Sequence, residues 1–140
     1  MGKITTLSKG DMSFESEAGN HPAMIVAPDV TGGSDHGPQP PQLFIASLGS
    51  CIGAFVAQYC EKNGINAEGM TVEMLFEKAP DPTRLVNLKA QVLLPKADCS
   101  KRIRAIKRVA EHCPVHATIN TMENLEIEIL GEGECDIAAD

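Results

Sequence analysis

The 140-residue chain predicts an α+β fold in which an antiparallel sheet wraps one long buried central helix, as a single domain over residues 1–140. Three observations carry that expectation. Strand-like runs are grouped before and after the helical runs, the arrangement of an α+β chain. One helical stretch, from Leu43 to Cys60, is apolar on every side, and a helix with no solvent face must be covered all round, by the rest of the protein or by a second subunit. The length and a hydrophobic fraction of 43% are enough for one packed core without disulfide staples.

Each element has its own reason. Between Lys3 and Val26, β-branched, polar and apolar residues alternate, broken at Lys9-Gly10-Asp11 and Gly19-Asn20-His21-Pro22, so three short strands joined as hairpins are expected. Proline and glycine density makes Pro28 to Pro41 a loop. Within it Thr31-Gly32-Gly33-Ser34 lacks the ending of a phosphate cradle. The apolar helix follows, with Pro40 and Pro41 in its first turn and Asn63-Gly64 as its stop. Gly49 and Gly53 flank Cys51 and point to a close backbone approach or a bend there.

Thr71 to Lys78 reads as a strand, Pro80-Asp81-Pro82 as a turn, and Arg84 to Leu94 as a second strand with Val86, Leu88, Ala90, Val92 and Leu94 on one face. Asp98 or Ser100 can then cap a helix whose apolar stripe is Ile103, Ile106, Val109, Ala110 and Cys113, ended by Pro114. Leu125-Glu126-Ile127-Glu128-Ile129 alternates as a half-buried closing strand, before an acidic tail from Gly131 to Asp140.

Charge narrows the function. Twelve basic against nineteen acidic residues leave a net charge of −7, which repels phosphate and excludes a nucleic-acid partner. The one basic cluster, Lys101, Arg102, Arg104, Lys107 and Arg108, lies opposite the apolar stripe and reads as a solvated helix face. No uninterrupted apolar run approaches the ~20 residues of a membrane span. Nothing at the N-terminus reads as a signal peptide, so a cytoplasmic protein without a membrane partner is expected.

Five cysteines, at positions 51, 60, 99, 113 and 135, are odd in number and lack zinc-knuckle spacing. They suggest a reducing compartment and thiols kept for chemistry or packing. Cys51 lies in the apolar helix among uncharged neighbours, so reactivity would need a cation or a helix end from elsewhere in the fold; the other reading is a small core hydrophobe. Cys113 stands at a helix end in His112-Cys113-Pro114-Val115-His116, where a thiol can reach another segment. Pro114 and the short spacing work against a metal site from His112, Cys113 and His116, and no metal or cofactor is expected. Cys60 reads as core, Cys99 and Cys135 as incidental thiols, and His21 and His36 as solvated turn residues.

Pro40-Pro41-Gln42-Leu43-Phe44-Ile45-Ala46-Ser47-Leu48-Gly49-Ser50-Cys51, with His112-Cys113-Pro114-Val115-His116 following Cys51 at about sixty residues, resembles the OsmC/Ohr family of osmotically induced and organic hydroperoxide resistance proteins. The order of elements agrees over nearly the whole chain. The resemblance implies an intertwined homodimer and a peroxiredoxin-like thiol peroxidase of the oxidative stress response. Cys51 would be peroxidatic and Cys113 resolving, with an organic hydroperoxide as substrate and a dithiol as reductant. The family's peroxidases also carry an arginine in the N-terminal hairpin and a glutamate before the helix. This chain has no arginine before Arg84, and Pro41 and Gln42 stand where the acid is expected. Lys9, Gln42 and His116 are the residues available for support, and a lysine lacks the planar fork of an arginine. The departures leave open a second reading, a non-catalytic or regulatory domain that holds a small apolar ligand at the dimer interface.

Overall fold

The computed structural model describes residues 2–21, 24–26 and 37–131. Most of the expected loop, including Thr31-Gly32-Gly33-Ser34 and His36, lies outside the described residues, as do Cys135 and the rest of the acidic tail after Gly131.

Three strands open the chain: β1 (Ile4–Gly10), β2 (Ser13–Ala18) and β3 (Met24–Val26). β1 and β2 pair antiparallel from Ile4 opposite Ala18 to Ser8 opposite Phe14. The turn between them takes positive φ at Gly10, Asp11 and Met12, of 87°, 49° and 56°, and glycine accepts the first of these without strain. β3 joins the other edge of β2, with Val26 opposite Phe14. Ile4 and Leu7 remain 67% and 58% exposed, and among the described residues none of the three strands packs extensively on a helix.

Helix α1 (Pro40–Lys62) begins after an extended Gln39 whose backbone N–H donates to Gln42 Oε1 at 2.8 Å. Pro40 and Pro41 sit in the first turn, where no helical N–H partner is lost. The helix ends with the Asn63 N–H on the carbonyls of Tyr59 and Cys60, and Gly64 follows at a φ of 64°. Gly49 and Gly53 let β4 approach closely: a Cβ on Gly49 would lie 3.0 Å from Met74 Cγ, and one on Gly53 3.4 Å from Val72 Cγ2.

The burial of α1 differs from the sequence expectation. Ile45, Leu48, Ile52, Val56 and Cys60 are buried, whereas Phe44 is 43% exposed and Ala46 and Ala54 are also exposed. One chain covers one face of the helix, because the strands available to it reach only that side. By length and a mean hydropathy of 1.6, α1 is also apolar enough to cross a membrane. Its covered face packs on β4, β5 and two later helices, as the core helix of a folded domain does.

Strands β4 (Thr71–Pro80) and β5 (Thr83–Leu93) form a long hairpin from Thr71 opposite Leu93 to Pro80 opposite Thr83. A bulge interrupts the register between Leu75 and Glu77, where Asn87 takes a φ of 54° and donates Nδ2 to Glu77 Oε2 at 2.6 Å. Among the described residues the sheet expected to be one is two, β1-β2-β3 and β4-β5.

Helix α2 (Ile103–Glu111) starts later than Asp98 or Ser100. Asp98 Oδ1 accepts the Ser100 N–H at 3.0 Å in a turn before the helix, and this bond holds the Asp98 carboxyl below the usual carboxylate range. Helix α3 (Pro114–Thr121) is an element the sequence reading lacks. Pro114 both prevents α2 from continuing and supplies the first residue of α3, the helical position that tolerates proline best.

The expected closing strand is not formed. Residues 122–131 have no regular secondary structure and, among the described residues, no strand beside them, and Leu125 and Ile127 are 79% and 77% exposed. Their alternation fits a half-buried sheet position, but β5 stops at Leu93 and no described segment of the chain pairs with them.

Candidate active site

The central core consists of Leu48, Ile52, Val56 and Cys60 from α1, Ile106 from α2, and Cys113, with Cys51 packed against it. Cys51 and Cys113 are 62 residues apart in sequence and are brought together in the core, where Cys51 packs against the cluster that holds Cys113 and lies near enough to influence the charge of its thiol. Cys51 comes from the middle of α1 and is half-buried; Cys113 has no exposed surface.

Cys113 is the cap of α3. Its backbone is extended, with φ −65° and ψ 137°, and its Sγ accepts the His116 N–H at 3.2 Å. A side-chain acceptor at this position uses one of the peptide donors that a helix start leaves unpaired. Burial pushes the Cys113 thiol above its ordinary pKa. The N–H groups of His116 and Val115 oppose that shift, while the neighbouring Cys51 adds to it. The balance keeps Cys113 as a buried neutral thiol held in a fixed direction.

His116 contributes its backbone to Cys113, and its ring is engaged elsewhere. Nδ1 lies 2.9 Å from the Glu111 carbonyl oxygen, which only accepts, so the ring donates there; Nε2 then accepts from Asn120 Nδ2 at 3.1 Å. The ring thus ties the start of α3 to the end of α2. His112 likewise donates Nδ1–H to the Arg108 carbonyl, at 2.6 Å. Among the described residues no three His, Cys, Asp or Glu side chains converge as a metal site would require.

Gln42 and Lys9 occupy other positions. Gln42 spends its Oε1 on the cap of α1, nine residues before Cys51. Lys9 pairs weakly with Glu15 of the adjacent strand, Nζ to Oε2 at 3.9 Å, in the sheet that packs little on the helices. Of the five residues singled out in sequence, the structure therefore brings together Cys51, Cys113 and the His116 peptide, and leaves Gln42 and Lys9 with local partners. The Val115 N–H is a contributor that sequence reasoning missed, because it acts only through the unanticipated start of α3.

An apolar cavity of about 650 Å³ lies between β5, α2 and α3, near the stretch of α1 that carries Cys51 but not lined by Cys51 or Cys113. Leu48 and Ile52 of α1, Val92 and Ile106 line it, with His116 and Asn120 among its few polar groups. A second groove, of about 560 Å³, runs between Gly49 and Gly53 of α1 and Val72, Met74 and Phe76 of β4.

By class this is an α+β protein in which a thiol from the central helix faces a second thiol at the head of another helix. The OsmC-like protein family matches residues 32–128, and the chain belongs to that family, within the OsmC/Ohr superfamily. Its fold is similar to that of a Psychrobacter arcticus protein described as osmotic stress induced and a detoxification response protein, at 21% identity over 84% of this chain and 88% of that one, with a TM-score of 0.75. It is also similar to an organic hydroperoxide resistance protein OsmC from Legionella pneumophila, at 18% identity, covering 86% and 90% of the two chains, with a TM-score of 0.61. The organic hydroperoxide resistance protein OhrB of Bacillus subtilis is similar at 18% identity, covering 86% and 92%, with a TM-score of 0.60. No curated protein matches the sequence.

Proposed function

We propose that the protein is a thiol-dependent peroxidase that reduces organic hydroperoxides through Cys51 and Cys113, acting as a cytoplasmic homodimer. The observation that carries this reading is the juxtaposition of a half-buried Cys51 with a buried, N–H-anchored Cys113. Exposure supports these roles: Cys51, the residue for the peroxide, is half-buried, whereas Cys113 has no exposed surface.

The Cys51 thiolate attacks the distal peroxide oxygen; the S–O bond forms, the O–O bond breaks, and the alcohol leaves after taking a proton. Cys113 then attacks the sulfenic sulfur, its thiol proton leaving with the hydroxyl as water, and a disulfide joins α1 to the head of α3. A dithiol reductant reopens that bond by exchange. The apolar cavity lined by Leu48 and Ile52, which flank Cys51 along α1, favours an organic over an inorganic peroxide, since an alkyl group loses water contact there at about 25 cal/mol per Å² buried. With no arginine before Arg84 to pair the thiolate bidentately, turnover is slower than in relatives that have one.

The second copy is supported by unpartnered apolar surface at both ends of the described chain. Ile4 and Leu7 in β1, and Leu125, Ile127 and Leu130 near the C-terminal end, are 58–83% exposed. A sheet wrapped on the open face of α1 by the partner would cover them. The Ile127→Asp variant places a charge in that surface and is expected to shift the protein from dimer to monomer in light scattering; an unchanged mass contradicts the proposed interface.

The 650 Å³ cavity also favours the second reading, a ligand-holding domain without turnover. The two are separated by mixing reduced protein with cumene hydroperoxide and dithiothreitol. Consumption well above that of the Cys51→Ser variant supports the peroxidase, and consumption equal to it leaves the ligand-holding domain.

A further inference from the structure

Two other cysteines are brought to the same part of the core at the far end of α1. Cys60 lies in its last turn with no exposed surface, and Cys99 lies half-buried in the segment leading to α2, packed on the same core cluster. They are 39 residues apart in sequence, and the fold fixes their approach. Arg102 Nη1 donates to Tyr59 Oη and Asn63 Oδ1, each at 3.1 Å, so one guanidinium clasps the residues that bracket Cys60. The Arg102 N–H donates to the Cys99 carbonyl at 2.8 Å, which ties the same residue to the turn carrying the second thiol. Ile65 closes the end of α1 through its N–H on the Cys60 carbonyl at 2.9 Å. Burial pushes the Cys60 thiol above the ordinary thiol range, and the neighbouring Cys99 pushes it further.

The geometry points to a second dithiol, Cys60 and Cys99, that a hydroperoxide converts to a disulfide independently of Cys51 and Cys113. Access is asymmetric. Cys99 lines the 650 Å³ apolar cavity, while Cys60 is sealed behind it. Cys99 therefore meets the oxidant first: its sulfur takes the distal peroxide oxygen, the O–O bond breaks and the alcohol leaves. Cys60 attacks the resulting sulfenic sulfur, the S–S bond forms, and the hydroxyl leaves with the Cys60 proton as water. Two thiols and one hydroperoxide give one disulfide, one alcohol and one water. The product staples the last turn of α1 to the approach of α2 and protects Cys99 from irreversible oxidation to the sulfinic acid.

Direct exchange between Cys51 and Cys60 is prevented by helix geometry. Nine residues of α-helix separate Cys51 and Cys60 by about 13 Å of rise and about half a turn, on opposite sides of α1.

The test is to expose the wild-type protein and the Cys51→Ser/Cys113→Ser double variant to cumene hydroperoxide, alkylate free thiols, and digest without reduction. Trypsin with chymotrypsin is suitable because Phe55 and Tyr59 separate Cys51 from Cys60, and Lys101 separates Cys99 from Cys113. Cys60 and Cys99 peptides joined to each other are expected in both proteins, and the Cys60→Ser single variant should instead accumulate sulfinic acid at Cys99. Recovery of Cys60 alkylated after oxidation, or of Cys99 joined to any other cysteine, overturns the proposal. The wild-type map alone decides if the double variant fails to fold, and because it reads each pair separately, loss of the Cys51–Cys113 bond would not mimic loss of the Cys60–Cys99 bond.

Discussion

Helix α1 contributes to two thiol pairs, and their surroundings differ in a way that the residue types alone do not express. At the middle of the helix, Cys51 faces a thiol that caps α3 and accepts the His116 N–H at 3.2 Å. In the last turn, Cys60 lies near a thiol in an irregular segment, with Arg102 clasping the Tyr59 hydroxyl and the Asn63 side chain on either side of it. Both buried members, Cys113 and Cys60, are pushed up by burial, but only Cys113 has peptide N–H groups working against the shift. The lesson is that a helix start beside one pair supplies fixed donors for sulfur chemistry, whereas the other pair is held by side-chain bonds and suited to slower oxidation.

The largest test of that contrast removes the attacking thiol of the first pair. Cys51→Ser is expected to lower hydroperoxide turnover at least about a hundredfold, since a serine hydroxyl without an adjacent base is a poor nucleophile. Steady-state consumption with dithiothreitol measures it. Cys113→Ser should have a smaller effect, about tenfold, because the Cys51 sulfenic acid still forms and can be reduced slowly from solution; mass spectrometry should show it advancing to the sulfinic acid under excess peroxide.

At the other end of the helix, Arg102→Met keeps an apolar stem and removes both side-chain hydrogen bonds. It should cost about 1 kcal/mol in urea denaturation, the usual net worth of such bonds near a surface. The smallest effect is the pH dependence. A thiol whose folded pKa is raised binds its proton more tightly in the folded chain, so its contribution to stability is complete below the ordinary thiol pKa of about 8.5 and declines as pH rises through the higher folded value. Wild-type stability should therefore fall between neutral and alkaline pH, and Cys60→Ala should fall less steeply. Parallel denaturation midpoints for the two proteins across that range would contradict burial of the Cys60 thiol.

Much of this arrangement was legible in the sequence, and the exceptions have physical causes. Local periodicity and punctuation located β1–β3, α1, the β4–β5 hairpin and α2 to within a few residues. Pro114 concealed α3, because a proline that terminates one helix can equally begin the next, and with α3 went the N–H donors of Val115 and His116. Alternation at Leu125–Ile129 reports a need for a strand neighbour without saying which chain provides it, so the expected half-buried strand stands exposed in a single copy. The family resemblance singled out Cys51 and Cys113. No local signal pointed to Cys60 and Cys99, whose approach depends on how the end of α1 meets the turn before α2.

The most direct measurement of the central claim is a single turnover. Reduced protein is mixed with less than one equivalent of an organic hydroperoxide, quenched by alkylation at the earliest accessible time, and mapped without reduction. The account predicts one Cys51–Cys113 disulfide, with a loss of about 2 Da, for each hydroperoxide consumed, formed before any other cysteine is oxidised. Hydroperoxide consumed while Cys51 and Cys113 are both recovered alkylated would contradict it.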